Sequence, residues 1–187
     1  MRGSGRPFSR LWWLAHYAEK NGAYEQTRSA YRAWIGCVRY PWSGYQALAR
    51  LVETTGTTHE LRELVREMLK RWPHETALRN DLAYLSLLLS EEIEKSRDIA
   101  ADLVAQNPDN LPHCTTLALA LLRLRDLAGA LQVYAGRQYD WNQALPGNRA
   151  VYAAVLANNG QLTEARAHAR ALPRARLRPE ELALLPQ

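Results

Sequence analysis

The sequence predicts an all-α fold of about five stacked helical hairpins, and three observations carry that expectation. Glycine, or a residue standing in its place, returns every 34 or 35 residues, at Gly22, Gly56, Ser90, Arg125 and Gly160. Apolar residues recur at helical spacing on both sides of these markers, as with Leu11, Leu14, Ala15 and Ala18 before Gly22 and Thr27, Tyr31 and Trp34 after it. The same short pattern then opens the following stretch in Ala23-Tyr24-Glu25-Gln26-Thr27, Asp126-Leu127-Ala128-Gly129-Ala130 and Gln161-Leu162-Thr163-Glu164-Ala165. A fixed period in this range means units that cannot bury their apolar faces alone and must stack on neighbours.

Residues 1–7 read as a disordered or vector-derived start, given Met1-Arg2-Gly3-Ser4. Five repeats follow over 8–41, 42–75, 76–110, 111–145 and 146–177, each expected to hold two amphipathic helices. In the first, Gly22 supplies the left-handed backbone that ends a helix without a Cβ clash. In the second, Ser43-Gly44-Tyr45-Gln46 and Thr57-Thr58-His59-Glu60 both fit a capping box, which fixes two helix starts. Pro41, Pro73 and Pro108 fall between repeats, where proline stops one helix and tolerates the start of the next. In repeats three and four the first helices are apolar on more than one side, with Leu85, Leu87 and Leu88, then Leu119, Leu121 and Leu122, as an interior unit with two neighbours requires. The last stretch, 178–187, reads as a C-terminal cap: proline at a first turn, Glu180 and Glu181 at the positive end of the dipole, and leucines to cover the last repeat.

The third repeat, with Asn80-Asp81-Leu82-Ala83-Tyr84, Ile93-Glu94-Lys95-Ser96 and Asn107-Pro108-Asp109-Asn110, resembles the tetratricopeptide repeat (TPR) family. Small residues stand where that family's paired helices touch, at Ala15, Ala49, Ala83, Ala118 and Ala153, against Thr27, Ser96, Ala130 and Ala165. The second repeat departs, with Leu61 at the small position, so its helices are expected to sit slightly farther apart. Large side chains such as Tyr31 and Tyr134 then fill the gap to the next pair. The resemblance covers nearly the whole chain and implies a right-handed superhelical solenoid whose concave face is lined by the first helix of each pair.

That implied lining comprises Trp12, Trp13 and His16, then Gln46 and Arg50, then Asn80 and Tyr84, then Thr115, Thr116 and Leu119, and last Ala150 and Ala154. Such a mixture of aromatic, amide and guanidinium groups suits an extended peptide or a partner helix. The family's lysine and asparagine clamp for a chaperone's C-terminal carboxylate is missing, because Trp12 and His16 stand where it would need them. Arg50 with Asn80 is placed to hold one carboxylate of another ligand. Trp12 and Trp13 flank Leu11 and Leu14, so at most one of them packs comfortably inside, and the other is left for a partner or for self-association along this tryptophan-rich edge.

Other classes fare less well. Two cysteines in different repeats, Cys37 and Cys114, read as buried thiols, and the histidines at 16, 59, 74, 113 and 168 never pair at metal-ligand spacing, so no metal or cofactor is expected. Glu91-Glu92, Glu180-Glu181 and the adjacent His113-Cys114 form no catalytic constellation, and no glycine-rich phosphate loop is present; the chain reads as no enzyme. Apolar runs such as Leu82 to Leu89 are too short to cross a bilayer, and a cytoplasmic setting is expected. The net charge of +5 comes from 24 basic residues of which only Lys20, Lys70 and Lys95 are lysine. A basic helical-repeat RNA binder, with Arg166, Arg170 and Arg174 toward phosphate, is the alternative from another class. A regulatory or assembly region of a larger protein is a further one.

Overall fold

The computed structural model describes residues 7–186, so the expectation for the first residues lies outside it except at Pro7, which already begins a helix. Among the described residues there are eleven α-helices, one 3₁₀ turn and no strand. Two compact units, residues up to 68 and residues from 69 onward, are described separately.

The first unit contains α1 (Pro7–Lys20), α2 (Tyr24–Cys37), α3 (Trp42–Thr55) and α4 (Thr58–Arg71), the last ending just past the boundary. Helix α2 packs on both α1 and α3. Ala15 and Thr27 are fully buried, and Tyr31, Ile35, Tyr45, Leu48 and Leu51 complete the core between them. Leu14, expected inside, is 52% exposed, because Ala15 takes the inward position and turns Leu14 out. Ser43 does not cap α3: the helix starts one residue earlier behind Pro41, and Gly44 packs where a Cβ would lie 2.8 Å from Ile35. The second expected box forms as read, with Glu60 N–H donating to Thr57 Oγ1 (3.1 Å) and Thr57 N–H donating to Glu60 Oε2 (2.8 Å).

The second unit contains α5 (Thr76–Leu88), α6 (Ile93–Gln106), α7 (Leu111–Arg123), α8 (Leu127–Gln132), α9 (Pro146–Asn158), α10 (Leu162–Arg170) and α11 (Pro179–Leu184). Helix α7 lies against both α5 and α9, so the first helices of successive pairs run side by side, while α6 fills in against α5 and α7. Ala83, Ser96, Ala118, Ala130, Ala153 and Ala165 are all buried, which is what close helix approach needs. Asn110 caps α7 by accepting from His113 N–H (3.1 Å), and Asp126 caps α8 by accepting from Gly129 N–H (2.9 Å).

Four of the five periodic turns share one hydrogen bond. Ala23, Glu91, Asp126 and Gln161 each donate to the carbonyl five residues back, at 2.9 Å in every case. The residue before each donor, Gly22, Ser90, Arg125 or Gly160, has φ between 58° and 81°. This is the left-handed helix ending, and it explains the period at these positions. Gly56 differs: its φ is −106°, and its missing Cβ instead leaves room for Glu60 and Val52.

The fourth pair departs from expectation. Helix α8 has only six residues, and after Gly136 (φ 72°) the chain runs irregularly to Pro146. Aromatic packing supports that segment. Trp141 stacks on Tyr152 (4.2 Å between centroids), and both meet Tyr134 edge-on. Tyr139 donates its hydroxyl to Cys114 Sγ (3.3 Å). Cys114 is buried as expected, whereas Cys37 at the end of α2 is exposed.

Candidate partner-binding cleft

In the first unit, α1, α2 and α3 enclose a cleft of about 570 Å³. Its walls include Trp12 and His16 from α1, Tyr31 and Trp34 from α2, and Ala47 and Arg50 from α3. Trp12 and His16 lie one helical turn apart and stack with ring centroids 5.4 Å apart. Both are exposed, so the stack presents a flat aromatic surface to the cleft.

The polar lining is equally defined. Tyr31 donates its hydroxyl to Glu19 Oε2 (2.9 Å), and burial together with that carboxylate raises its phenol to about 12. Arg50 is exposed, reaches the field of Tyr31, and its guanidinium has no ion-pair partner among the described residues. Tyr45 donates to Glu67, which also pairs with Arg32 (3.6 Å), so that carboxylate is engaged. The cleft thus sets the Arg50 and Lys20 cations beside aromatic faces, with the Glu19 carboxylate held by Tyr31.

The remaining residues anticipated for a groove are distributed differently. Trp13 points elsewhere on α1, 59% exposed and stacked on Tyr17 (5.4 Å). Gln46 is exposed on α3 but does not line the cleft. In the second unit Asn80, Thr115 and Leu119 are buried rather than presented to a partner. The reason is helix packing: the Thr116 hydroxyl donates to Asn80 Oδ1 (2.8 Å), tying α7 to α5. Ala150 and Ala154 are buried too, Ala150 beneath Leu172, Leu177 and Leu185. Tyr84 is half-buried and already occupied, its hydroxyl donating to Glu181 Oε1 (2.8 Å). Tyr31, Trp34 and Ala47, by contrast, join the cleft although periodicity assigns them to the core or to no site. Their place there depends on how α2 sits between α1 and α3, which helical periodicity does not specify.

No helix among the described residues is long and apolar enough to cross a membrane, and no group of three His, Cys, Asp or Glu among them could hold a metal ion. No protein-family model matches the sequence, and no curated protein does. Solved structures do. A double mutant of MamA RS-1 superposes with a TM-score of 0.60 at 11% identity, covering 97% of this chain and 96% of that one. A thermophilic TPR protein of Thermus thermophilus gives 0.56 at 20% identity, over 95% and 94% of the two chains. Nearly identical TPR-like repeats of a putative kinesin light chain from Podosopora anserina give 0.53 at 15%, over 96% of each. The chain therefore has an all-α helical-repeat fold of the TPR type.

Proposed function

We propose that the protein is a non-catalytic interaction module and that the cleft of its first unit receives a peptide or helical segment. The observation that carries this reading is Arg50, a guanidinium with no ion-pair partner among the described residues, in a cleft walled by Trp12, His16 and Trp34. An apolar side chain of the ligand lies on the Trp12 face, and a carboxylate beside it meets Arg50. Helical-repeat proteins commonly hold extended segments in this way, and likeness to TPR structures makes the reading natural without identifying the partner.

A peptide library displayed on phage and selected on the whole protein tests it. Enriched sequences should pair an acidic residue with a large apolar one, and Arg50→Glu together with Trp12→Ala should abolish their binding. Binding should also survive moderate salt. Attachment to nucleic-acid phosphates would instead fall by about 10³-fold or more between 50 and 200 mM salt. A steep salt slope, or selected peptides indifferent to both substitutions, rejects the proposal.

A further inference from the structure

The second unit carries a different site, already filled by the chain itself. Glu181 lies 97 residues from Tyr84 in sequence, yet its Oε1 accepts the Tyr84 hydroxyl at 2.8 Å. Its Oε2 accepts Arg178 N–H at 2.9 Å, and the side chain is buried. A Cβ on Gly147 would stand 2.3 Å from Glu181 Oε1 and 2.9 Å from the Tyr84 hydroxyl, so the glycine leaves the space that the carboxylate enters. Gly147 is in the first turn of the 13-residue helix α9, whose dipole favours an anion there. A phenol donor, a backbone without a side chain and a helix start thus converge on one carboxylate.

Beyond this carboxylate the tail is seated unevenly: Leu185 packs on Ala150, Leu172 and Leu177, while other side chains stay in solvent. Leu182, at the centre of α11, stays 37% exposed, and Ala183 faces solvent as well. Arg178 leaves its Nη2 buried without a hydrogen-bond partner among the described residues, which weakens the seat. Beside the tail a solvent-open groove of about 270 Å³ remains, in which Arg123, Arg125 and Asn158 stand beside Leu119 and Leu122, with Leu184 of the tail opposite.

We infer that this face, centred on Tyr84 and Gly147, is a binding site for a short acidic, leucine-bearing helical turn of another protein. In this structure the chain's own residues 178–185 hold it as a tethered substitute. The tether places the tail at an effective concentration on the order of millimolar, so a partner segment competes for the open fraction only. No residue is shared with the Trp12 and Arg50 cleft, and the inference stands independently of it.

A fluorescently labelled peptide of residues 174–186, titrated into the full chain by anisotropy, tests this. Glu181→Gln weakens the resident tail, so the peptide should bind that variant about tenfold more tightly than the unaltered chain. Adding Tyr84→Phe should erase the gain, as should Glu181→Gln in the peptide itself. Hydrogen exchange at residues 179–185 of the full chain should rise in Glu181→Gln. Leu185→Asp, which breaks the apolar contact with Ala150, Leu172 and Leu177, opens the same segment by a second route.

If residues 179–185 stay protected in both variants, the tail is an integral part of the fold and the inference fails. It fails equally if the tail opens but the peptide gains nothing, or gains regardless of Tyr84. A concentration-dependent dimer of Glu181→Gln that excludes the peptide would assign the face to tail exchange between copies and overturn it too. Circular dichroism of each variant must retain the helical signal of the unaltered chain.

Discussion

Arg149 donates through Nε to Nδ1 of His168 at 3.1 Å, joining the start of α9 to α10 beneath the Trp141 and Tyr152 stack. An arginine only donates, so Nδ1 must accept and the imidazole is held neutral. Burial lowers the His168 pKa first, the Arg149 charge lowers it further, and Glu164, with Oε1 3.9 Å from Nε2, opposes both. The unfolded chain therefore binds a proton more readily than the folded one below about pH 6.5. Stability should be complete above that value and decline as pH falls through it. His168→Gln should flatten this part of a melting-temperature profile, and an unchanged slope would show that another group titrates.

The alanine positions offer a test in which the chemical change is held constant. Ala118 on α7 is fully buried, whereas Ala167 on α10 is exposed. Ala118→Leu should cost about 1 to 3 kcal/mol by forcing packed helices apart. Ala167→Leu should stay within about 0.5 kcal/mol. Equal shifts in urea midpoint would contradict the assignment of buried and exposed faces.

Turn geometry predicts opposite signs for substitutions at equivalent points of the period. Ser90 (φ 58°) and Arg125 (φ 64°) hold a left-handed conformation that costs a side-chain-bearing residue roughly 1 to 2 kcal/mol. Glycine removes that strain but frees the unfolded chain, returning about 0.4 to 1 kcal/mol, so Ser90→Gly or Arg125→Gly should stabilise by about 0.5 to 1 kcal/mol. Gly56→Ala should destabilise, since its Cβ would meet Val52 Cγ1, the Val52 carbonyl and Glu60 at 2.8 Å. Thermal denaturation of the three variants resolves the signs.

The repeat was legible because its signals are local. A left-handed helix ending needs glycine or tolerates a stand-in at one position, and a tight helix contact needs a small residue at another; Gly22, Gly160, Ala118 and Ala153 report these directly. What escaped depends on contacts distant in sequence. The six-residue α8 and the irregular segment behind it rest on Tyr134, Trp141 and Tyr152 meeting, and no window of the sequence shows that. Asn80 and Thr115 have the polarity of a groove lining but are buried between helices, and Tyr84 is taken by Glu181 from the far end of the chain. Trp12, His16 and Arg50 do share one cleft in the first unit, with Trp34 as a wall that periodicity did not supply.

Glu60 connects the start of α4 to α2 and gives the last expectation. Its carboxylate accepts from Thr57 N–H and from Arg28 Nη1 (3.2 Å), while Arg28 Nη2 also donates to Thr55 (3.2 Å). The Thr57 backbone bond is the largest influence holding the Glu60 pKa below 4.5, and burial opposes it. A depressed folded-state pKa means that this stabilisation is present above about pH 4.5 and lost as pH falls through the lower folded value. Glu60→Ala should cost about 1 kcal/mol at pH 7 through loss of the cap. Glu60→Gln keeps an acceptor for Thr57 but discards the charge, so its stability should lie between the two at pH 7 and converge on that of the unaltered chain in acid. If the two stability curves remain parallel down to about pH 3, well below the unfolded carboxyl's own titration, the carboxylate charge contributes nothing there and the cap acts through geometry alone.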